Sequence, residues 1–233
     1  MPAILIGGEK GGTGKSTVAC NLAVTLKQQG RDVLLIDCDK QATADDFAKR
    51  RTAHDLTPQI PSIRMRGGQL QMPITDQASR YQVVIIDCGG QDSIELRSAM
   101  ITPAVSLMIV PIQASFVDLS TLVGISQRFE EARVYHPNLN VKVILNRAPT
   151  NAARIETTSE AVSFVQDELG TLGIFETVLH DRVAYRYSLA TGEGVCEYEI
   201  RNNRAPKASQ EFQALCDEIT NDVQLEAIQE TTS

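Results

Sequence analysis

Ala3-Ile4-Leu5-Ile6-Gly7-Gly8-Glu9-Lys10-Gly11-Gly12-Thr13-Gly14-Lys15-Ser16-Thr17 is the stretch from which the rest of the chain can be read. Four consecutive apolar residues read as a buried strand, the glycines as a turn, and the residues from Thr17 onward as a helix. That order presents backbone N–H groups and a helix N-terminus to a phosphate chain. Gly11, Gly12 and Gly14 permit close backbone approach, Lys15 supplies a point charge for the terminal phosphates, and the Ser16 hydroxyl can ligate Mg²⁺. Thr13 and Thr17 join the candidate nucleotide-binding set, to which Asn146 and Arg147 are added further along the chain. The usual pattern, G-x-x-x-x-G-K-[ST], needs a glycine where this chain has Glu9; it has instead a second lysine, Lys10. A turn that bound nothing would set two lysines against a nest of amides with no anion between them.

The variant Lys10-Gly11-Gly12-Thr13-Gly14-Lys15-Ser16-Thr17 resembles the deviant Walker A motif of the ParA/MinD family of P-loop ATPases. The resemblance implies that Lys10 reaches across a dimer interface to the partner's nucleotide, and so joins Lys15 and Asp39 as a catalytic group. It also implies a doubly wound α/β domain with a mostly parallel central sheet flanked by helices, ATP and Mg²⁺ as cofactors, and an ATP-dependent homodimer. Further implied partners are nonspecific double-stranded DNA and a ParB-type or other cargo adaptor that stimulates hydrolysis.

Composition fits that class. The 233 residues are 42% hydrophobic and 22% charged, enough for one α/β domain with a sizeable core. That domain is expected over residues 1–233, its core ending near 224 and an acidic tail following at 225–233. No apolar run approaches the ~20 residues of a membrane span, and no basic, cleavable leader precedes the first strand, so a cytoplasmic protein, nucleoid-associated when ATP-bound, is expected. No helix-turn-helix extension precedes residue 3, which argues against operator binding. Net charge is −7, against a generally basic nucleic-acid binder but not against a local cationic strip. Cys20, Cys38, Cys88, Cys196 and Cys216 are scattered singly and read as small core residues.

Along the chain, Thr17–Gln29 reads as a helix with Val18, Leu22 and Leu26 on one face and Gly30 as its terminator. Residues 32–37 form a second buried strand ending in Asp37-Cys38-Asp39-Lys40-Gln41. Carboxylates at that strand end lie where α/β sheets bind ligands. The segment resembles the family's D-x-D-P-Q switch, which aligns Asp39 with the residue that positions the hydrolytic water and Asp37 with one supporting the metal shell. Lys40 departs from the family's proline, and Asp37 or Asp39 could instead cap the next helix. A helix is expected over 45–53, with Lys49-Arg50-Arg51 as a solvated face, and a short edge strand over 60–66.

Val83-Val84-Ile85-Ile86-Asp87 reads as a Walker B strand with Asp87 holding Mg²⁺ through its water shell, and Gly89-Gly90 lets the next backbone pass the terminal phosphate. Further helices are expected over 93–101, 118–133 (inner stripe Leu119, Leu122, Val123, Ser126 and Phe129), 157–169 and 209–224, with strands over 104–110, 141–147 and 174–179. In the family the segment matching Pro111-Ile112-Gln113-Ala114-Ser115 lines the dimer face. Asn146 offers a donor and an acceptor and could contact adenine or anchor a loop, with Arg147 beside it. Arg154, Arg182, Arg186, Arg201, Arg204 and Lys207 are candidates for nonspecific DNA contact; interspersed Glu193, Glu197 and Glu199 could pair with them instead. The C-terminal helix lacks a lysine-rich membrane-binding face, so no membrane partner is expected. Two other readings share the core: a ParA-like ATPase positioning another cargo, such as a conjugation complex, carboxysome or polar structure, and a metabolic or metal-handling enzyme of the same fold.

Overall fold

The computed structural model describes residues 2–90, 93–150 and 155–225, leaving aside the side chains of 116–117 and 155–158. Seven strands form one sheet in the order β3-β2-β4-β1-β5-β6-β7, with every pairing parallel. In chain order they are β1 (Ala3–Ile6), β2 (Val33–Asp37), β3 (Ser62–Arg64), β4 (Val83–Asp87), β5 (Val105–Ile112), β6 (Asn140–Ala148) and β7 (Gly173–His180). The helices are α1 (Lys15–Gln28), α2 (Thr43–Ala53), α3 (Gln71–Arg80), α4 (Ile94–Met100), α5 (Phe116–Arg133), α6 (Ile155–Glu168), α7 (Val183–Thr191), α8 (Val195–Arg201) and α9 (Lys207–Asp222).

Every residue of β1, β2 and β4 is buried, because both sheet faces are covered. Alternate residues serve opposite cores. Ala3, Leu5, Leu34, Ile36, Val84 and Ile86 pack with Ile74 of α3, Leu96 of α4, Leu122 and Ile125 of α5, and Val165 of α6. Ile4, Ile6, Val33, Leu35, Val83 and Ile85 pack with Val18, Leu22 and Leu26 of α1, Phe47 of α2, Tyr198 of α8 and Phe212 of α9. This is the expected doubly wound arrangement. β5 runs two residues past the expected end, through Pro111: β1 stops pairing at Ile6–Ile109, so no β1 residue faces the missing N–H.

β3 is an edge, as expected, and β7 is the other. Between the pairs Val143–Ile174 and Leu145–Val178, β7 carries three residues to β6's one, a bulge. Two amides of this bulge meet α9, where Glu218 accepts the N–H of Glu176 (2.9 Å) and of Thr177 (2.8 Å); beyond the bulge, Glu211 accepts that of His180 (3.2 Å). α9 thereby covers the edge.

Several expectations are corrected. Residues 71–80 form a helix that the sequence reading did not identify; Pro73 is tolerated because first-turn amides have no intrahelical acceptor. In α5, Val123 is exposed and Ile125 is buried in its place. Cys196 is exposed on α8, whereas the other four cysteines are buried free thiols. Arg51 is fully buried rather than solvated. Its guanidinium makes a bidentate pair with Glu197 (2.7 Å to each carboxylate oxygen) and also donates to the carbonyls of Pro58 (2.6 Å) and Gly192 (3.1 Å). It ties α2 to the α7–α8 turn. Removing one partner of a buried pair strands the other, so Arg51→Ala is expected to lower the unfolding free energy by about 3 kcal/mol in urea titrations.

Candidate functional site at the carboxyl ends of β1, β2 and β4

β1 lies between β4 and β5, and the chain leaves it through residues 7–14 into α1. Ligand crevices form where connections diverge around a central strand. Gly14 precedes α1 at φ 100, and a Cβ there would meet Asn146 Nδ2 at 2.1 Å, so only glycine fits. Asn146 donates to the Thr13 carbonyl (2.7 Å) and accepts the N–H of Arg147 (2.9 Å). Both ends of the amide are thus engaged by the backbone, as in a loop anchor. Arg147, at φ 55, is exposed beside a cavity of about 180 Å³ that also borders Thr17, Asp181, Tyr185 and Arg186.

Lys15 is buried, and its Nζ donates to the Lys10 carbonyl at 2.7 Å. Burial lowers its pKa, and the nearby Asp87 and Asp39 carboxylates oppose that shift. Asp87 is fully buried at the end of β4, and neither of its carboxylate oxygens has a hydrogen-bond partner. Burial raises its pKa to about 7; the Ser16 hydroxyl beside it, out of hydrogen-bonding geometry, lowers it in part, and Asp37 and Asp39 add to the rise. The Thr13 hydroxyl is likewise buried without a partner. Unpaired buried polar atoms are rare, and a carboxylate with its donors missing next to a serine hydroxyl fits a hard divalent cation. Asp87 and Ser16 could hold Mg²⁺ there.

Asp37 is held by the backbone. Its oxygens accept the N–H groups of Asp39 and Asp45, each at 2.9 Å, so it fastens the β2–α2 turn and the start of α2. Burial raises its pKa, and those amides oppose the rise. Asp39 faces Gly89, whose Cβ, if present, would lie 3.1 Å from the carboxylate. A Cβ on Gly90 would lie 3.0 Å from Gly11 N, so the chain after Asp87 presses directly on the phosphate loop.

Lys10 turns away from the loop and pairs with Asp118 of α5. Asp118, fully buried, also accepts the Gln113 N–H (2.9 Å) and the Ser115 hydroxyl (3.2 Å). Glu9 pairs with Arg128 of the same helix. Sequence reading passed over Asp118, although Ser115 and Asp118 form the S-x-x-D signature of a helix start, and the Ser115 hydroxyl does accept the Asp118 N–H.

The candidate DNA contacts do not form one free cluster. Arg182 is bound to Glu211, which also takes His180 Nδ1 (2.8 Å), and Arg201 is bound to Glu193 (2.6 Å). Arg201 and Arg204 lie over the Tyr198 ring, 5.7 and 5.9 Å from its centroid. Arg186 is 3.7 Å from Asp181, Lys207 is exposed, and Arg154 lies outside the described residues. Among the described residues no helix is long and apolar enough to cross a membrane, and no cluster of three metal-binding side chains occurs.

A strand-to-helix cradle of amides with a lysine inside it is how P-loop proteins hold nucleotide phosphates, and fold and loop together place the chain in that class. Residues 4–193 match the family described as CobQ/CobB/MinD/ParA nucleotide binding domain. The chain belongs to this family, and its second lysine makes it a deviant Walker A P-loop ATPase of the ParA/MinD type. It is 29% identical over 225 residues to the maintenance of carboxysome distribution protein A of Gloeobacter kilaueensis, covering 91% of each chain. It is 27% identical over 169 residues to the chromosome-partitioning ATPase Soj of Thermus thermophilus, covering 61% of this chain and 67% of that one. The fold matches the septum site-determining protein MinD of Pyrococcus horikoshii, solved with Mg-ADP, at a TM-score of 0.69 and 20% identity, covering 97% and 99% of the chains.

The raised pKa of Asp87 carries a stability consequence. The folded metal-free protein keeps the proton to about pH 7, whereas the unfolded chain loses it near pH 4, so stability falls as pH rises through that window. In EDTA, Asp87→Asn is expected to be destabilising by about 2 kcal/mol at pH 4, where the amide buries more polar atoms than the neutral carboxyl, and stabilising by about 2 kcal/mol at pH 8. The swing between them is the ~4 kcal/mol that a three-unit shift represents. Urea denaturation at the two pH values measures it.

Proposed function

We propose that the chain is a Mg²⁺-dependent ATP hydrolase whose ATP-bound form pairs face to face and positions a cargo recruited through an adaptor protein. The observation that carries the reading is the buried, unpartnered carboxylate of Asp87 beside Ser16 and Lys15. In this proposal the amides of Gly11, Gly12, Thr13 and Gly14 cradle the phosphates, Lys15 neutralises them, and Thr17 and Arg147 border the base and sugar. Bound Mg²⁺ would supply Lewis-acid polarisation of the terminal phosphates. Asp39 orients the water that attacks the γ-phosphorus as the bond to the β–γ bridging oxygen breaks, giving ADP and phosphate. Asp37 supports this arrangement through the backbone rather than through the cation.

Lys10 is the group assigned to the second subunit. Its intrachain pair with Asp118 must open before it can reach a partner's nucleotide, so dimerisation couples to release of the loop from α5. The similar proteins carry names for carboxysome distribution, chromosome partitioning and septum-site determination. What they share is positioning, and positioning of a cargo is the function proposed here. Double-stranded DNA is proposed as the surface, contacted by Arg204, Lys207 and Arg186, whose pair with Asp181 is long (3.7 Å) and exposed on both sides, since Arg182 and Arg201 are tied to the more buried Glu211 and Glu193.

Sedimentation with ATP and Mg²⁺, with and without nonspecific duplex DNA, tests this. Wild type is expected to dimerise with ATP, Lys10→Ala to bind ATP yet stay monomeric, and Arg204→Glu to dimerise but bind DNA at least about tenfold more weakly at low salt. A wild type that stays monomeric with ATP overturns the face-to-face dimer. Dimers that ignore DNA at low salt move the proposed surface to another component.

A further inference from the structure

The turn that carries Asp39 has few bonds of its own. Asp39 N–H rests on Asp37 Oδ1 (2.9 Å), Gln41 N–H on Asp39 Oδ1 (2.9 Å), and Ala42 N–H on the Asp39 carbonyl (2.9 Å). The last bond closes a four-residue turn over Asp39–Ala42. It ends on Ala42 at φ 54 and ψ 34, a left-handed conformation that costs a residue with a Cβ about 1–2 kcal/mol. Such a conformation persists where its surroundings over-determine it.

Arg66 supplies that restraint from outside the turn. It lies two residues beyond β3, on the edge of the sheet. Its Nη1 donates to the Asp37 carbonyl (2.7 Å) and to the Met65 carbonyl (2.9 Å), and its Nη2 donates to the Asp39 carbonyl. Nη2 is also 3.7 Å from Asp37 Oδ1. One planar guanidinium thus spans the carbonyls that bracket Cys38, and fixes the distance between the strand end and the turn. The next residue is anchored in turn: Gly67 N–H donates to Glu95 Oε1 at 3.0 Å, and this bond, aided by Arg66, holds the Glu95 carboxyl below its usual range. The Arg66 side chain joins the end of β3 to the β2–α2 turn, and the neighbouring Gly67 amide ties the same segment to helix α4.

We infer that Arg66 is the positioning residue for Asp39, holding the turn so that the Asp39 carboxylate faces Gly89 and the phosphate loop. The inference rests on the ATPase reading above. An ammonium is a single point and cannot occupy both carbonyl positions of a fork, so Lys at 66 does not replace Arg. A second way of stiffening the same turn exists. Lys40 is its second residue, the position at which proline's fixed φ is favoured, and among the described residues no hydrogen bond from the Lys40 N–H is seen.

The test is steady-state ATP hydrolysis by the full chain, combined with amide hydrogen exchange over residues 37–42. Arg66→Ala is expected to lower kcat about tenfold, as misplacement of a reacting group by a fraction of an ångström does, with KM for ATP changed less than about twofold. Arg66→Lys is expected to fall with it, and Lys40→Pro added to Arg66→Ala to restore about threefold or more. Exchange over 37–42 should quicken in Arg66→Ala and slow again in the double variant. Unchanged kcat and exchange in Arg66→Ala overturn the inference. So does a loss in which KM and melting temperature shift together and Lys40→Pro restores nothing, since that is general unfolding. If wild type hydrolyses no ATP, the proposed function fails, and the exchange measurement alone then decides whether Arg66 holds the turn.

Discussion

The placement of β1 between β4 and β5 is the constraint on which the rest depends. A four-residue strand with no solvent on either face can end in only one direction, toward the carboxyl edge. There its glycine loop is walled on one side by the segment leaving β4 and on the other by α5, entered from β5. Gly90 presses on Gly11 from the first side, and Asp118 holds Lys10 from the second. The loop's shape is therefore set by its neighbours as much as by its own glycines, and Asn146 of β6 completes the enclosure through Thr13.

The electrostatics derive from the same crowding. Asp37, Asp39 and Asp87 gather at adjacent strand ends, where burial raises the pKa of Asp37 and of Asp87, and the neighbouring carboxylates raise that of Asp87 further. Asp37 is compensated by backbone amides, and Asp39 is half-exposed with an amide of its own. Asp87 alone has neither, and the charge left over is offset within the chain only by Lys15, whose Nζ is spent on a carbonyl. A site with this imbalance is built around a cation that the protein does not provide. Asp118, equally buried, shows the opposite solution: a lysine, an amide and a hydroxyl all converge on it.

Much of this was legible from local signals. Apolar runs of strand length, ending in the glycine loop at β1 and in Asp or Asn at β2, β4 and β6, located those strands and their functional ends, because strands buried on both faces carry no polar alternation to confuse the reading. What escaped was long-range. Arg51 looked like one of three solvated basic residues; nothing nearby announces that Glu197, 146 positions later, will enclose it. Asn146 and Asp37 were recognised as site residues, but whether a carboxylate or amide faces a ligand or a backbone N–H depends on loops folding over it. Arg66 and Asp118 carried only weak local marks, since their partners lie 27 and 108 residues away.

The Lys10–Asp118 pair bears on how such a site would switch. Lys10 is still about 40% exposed while Asp118 is almost wholly buried, so opening the pair costs the carboxylate far more than the ammonium. Asp118 retains the Gln113 amide and the Ser115 hydroxyl, which soften that cost. A second subunit's phosphates can draw Lys10 away only by as much as they bind it better than Asp118 does. ATP carries one more phosphate than ADP within reach of that lysine, so in the proposed dimer the difference between the two nucleotides is read by competition for a single ammonium group, and α5, which holds the competing carboxylate, is the helix through which that reading leaves the site.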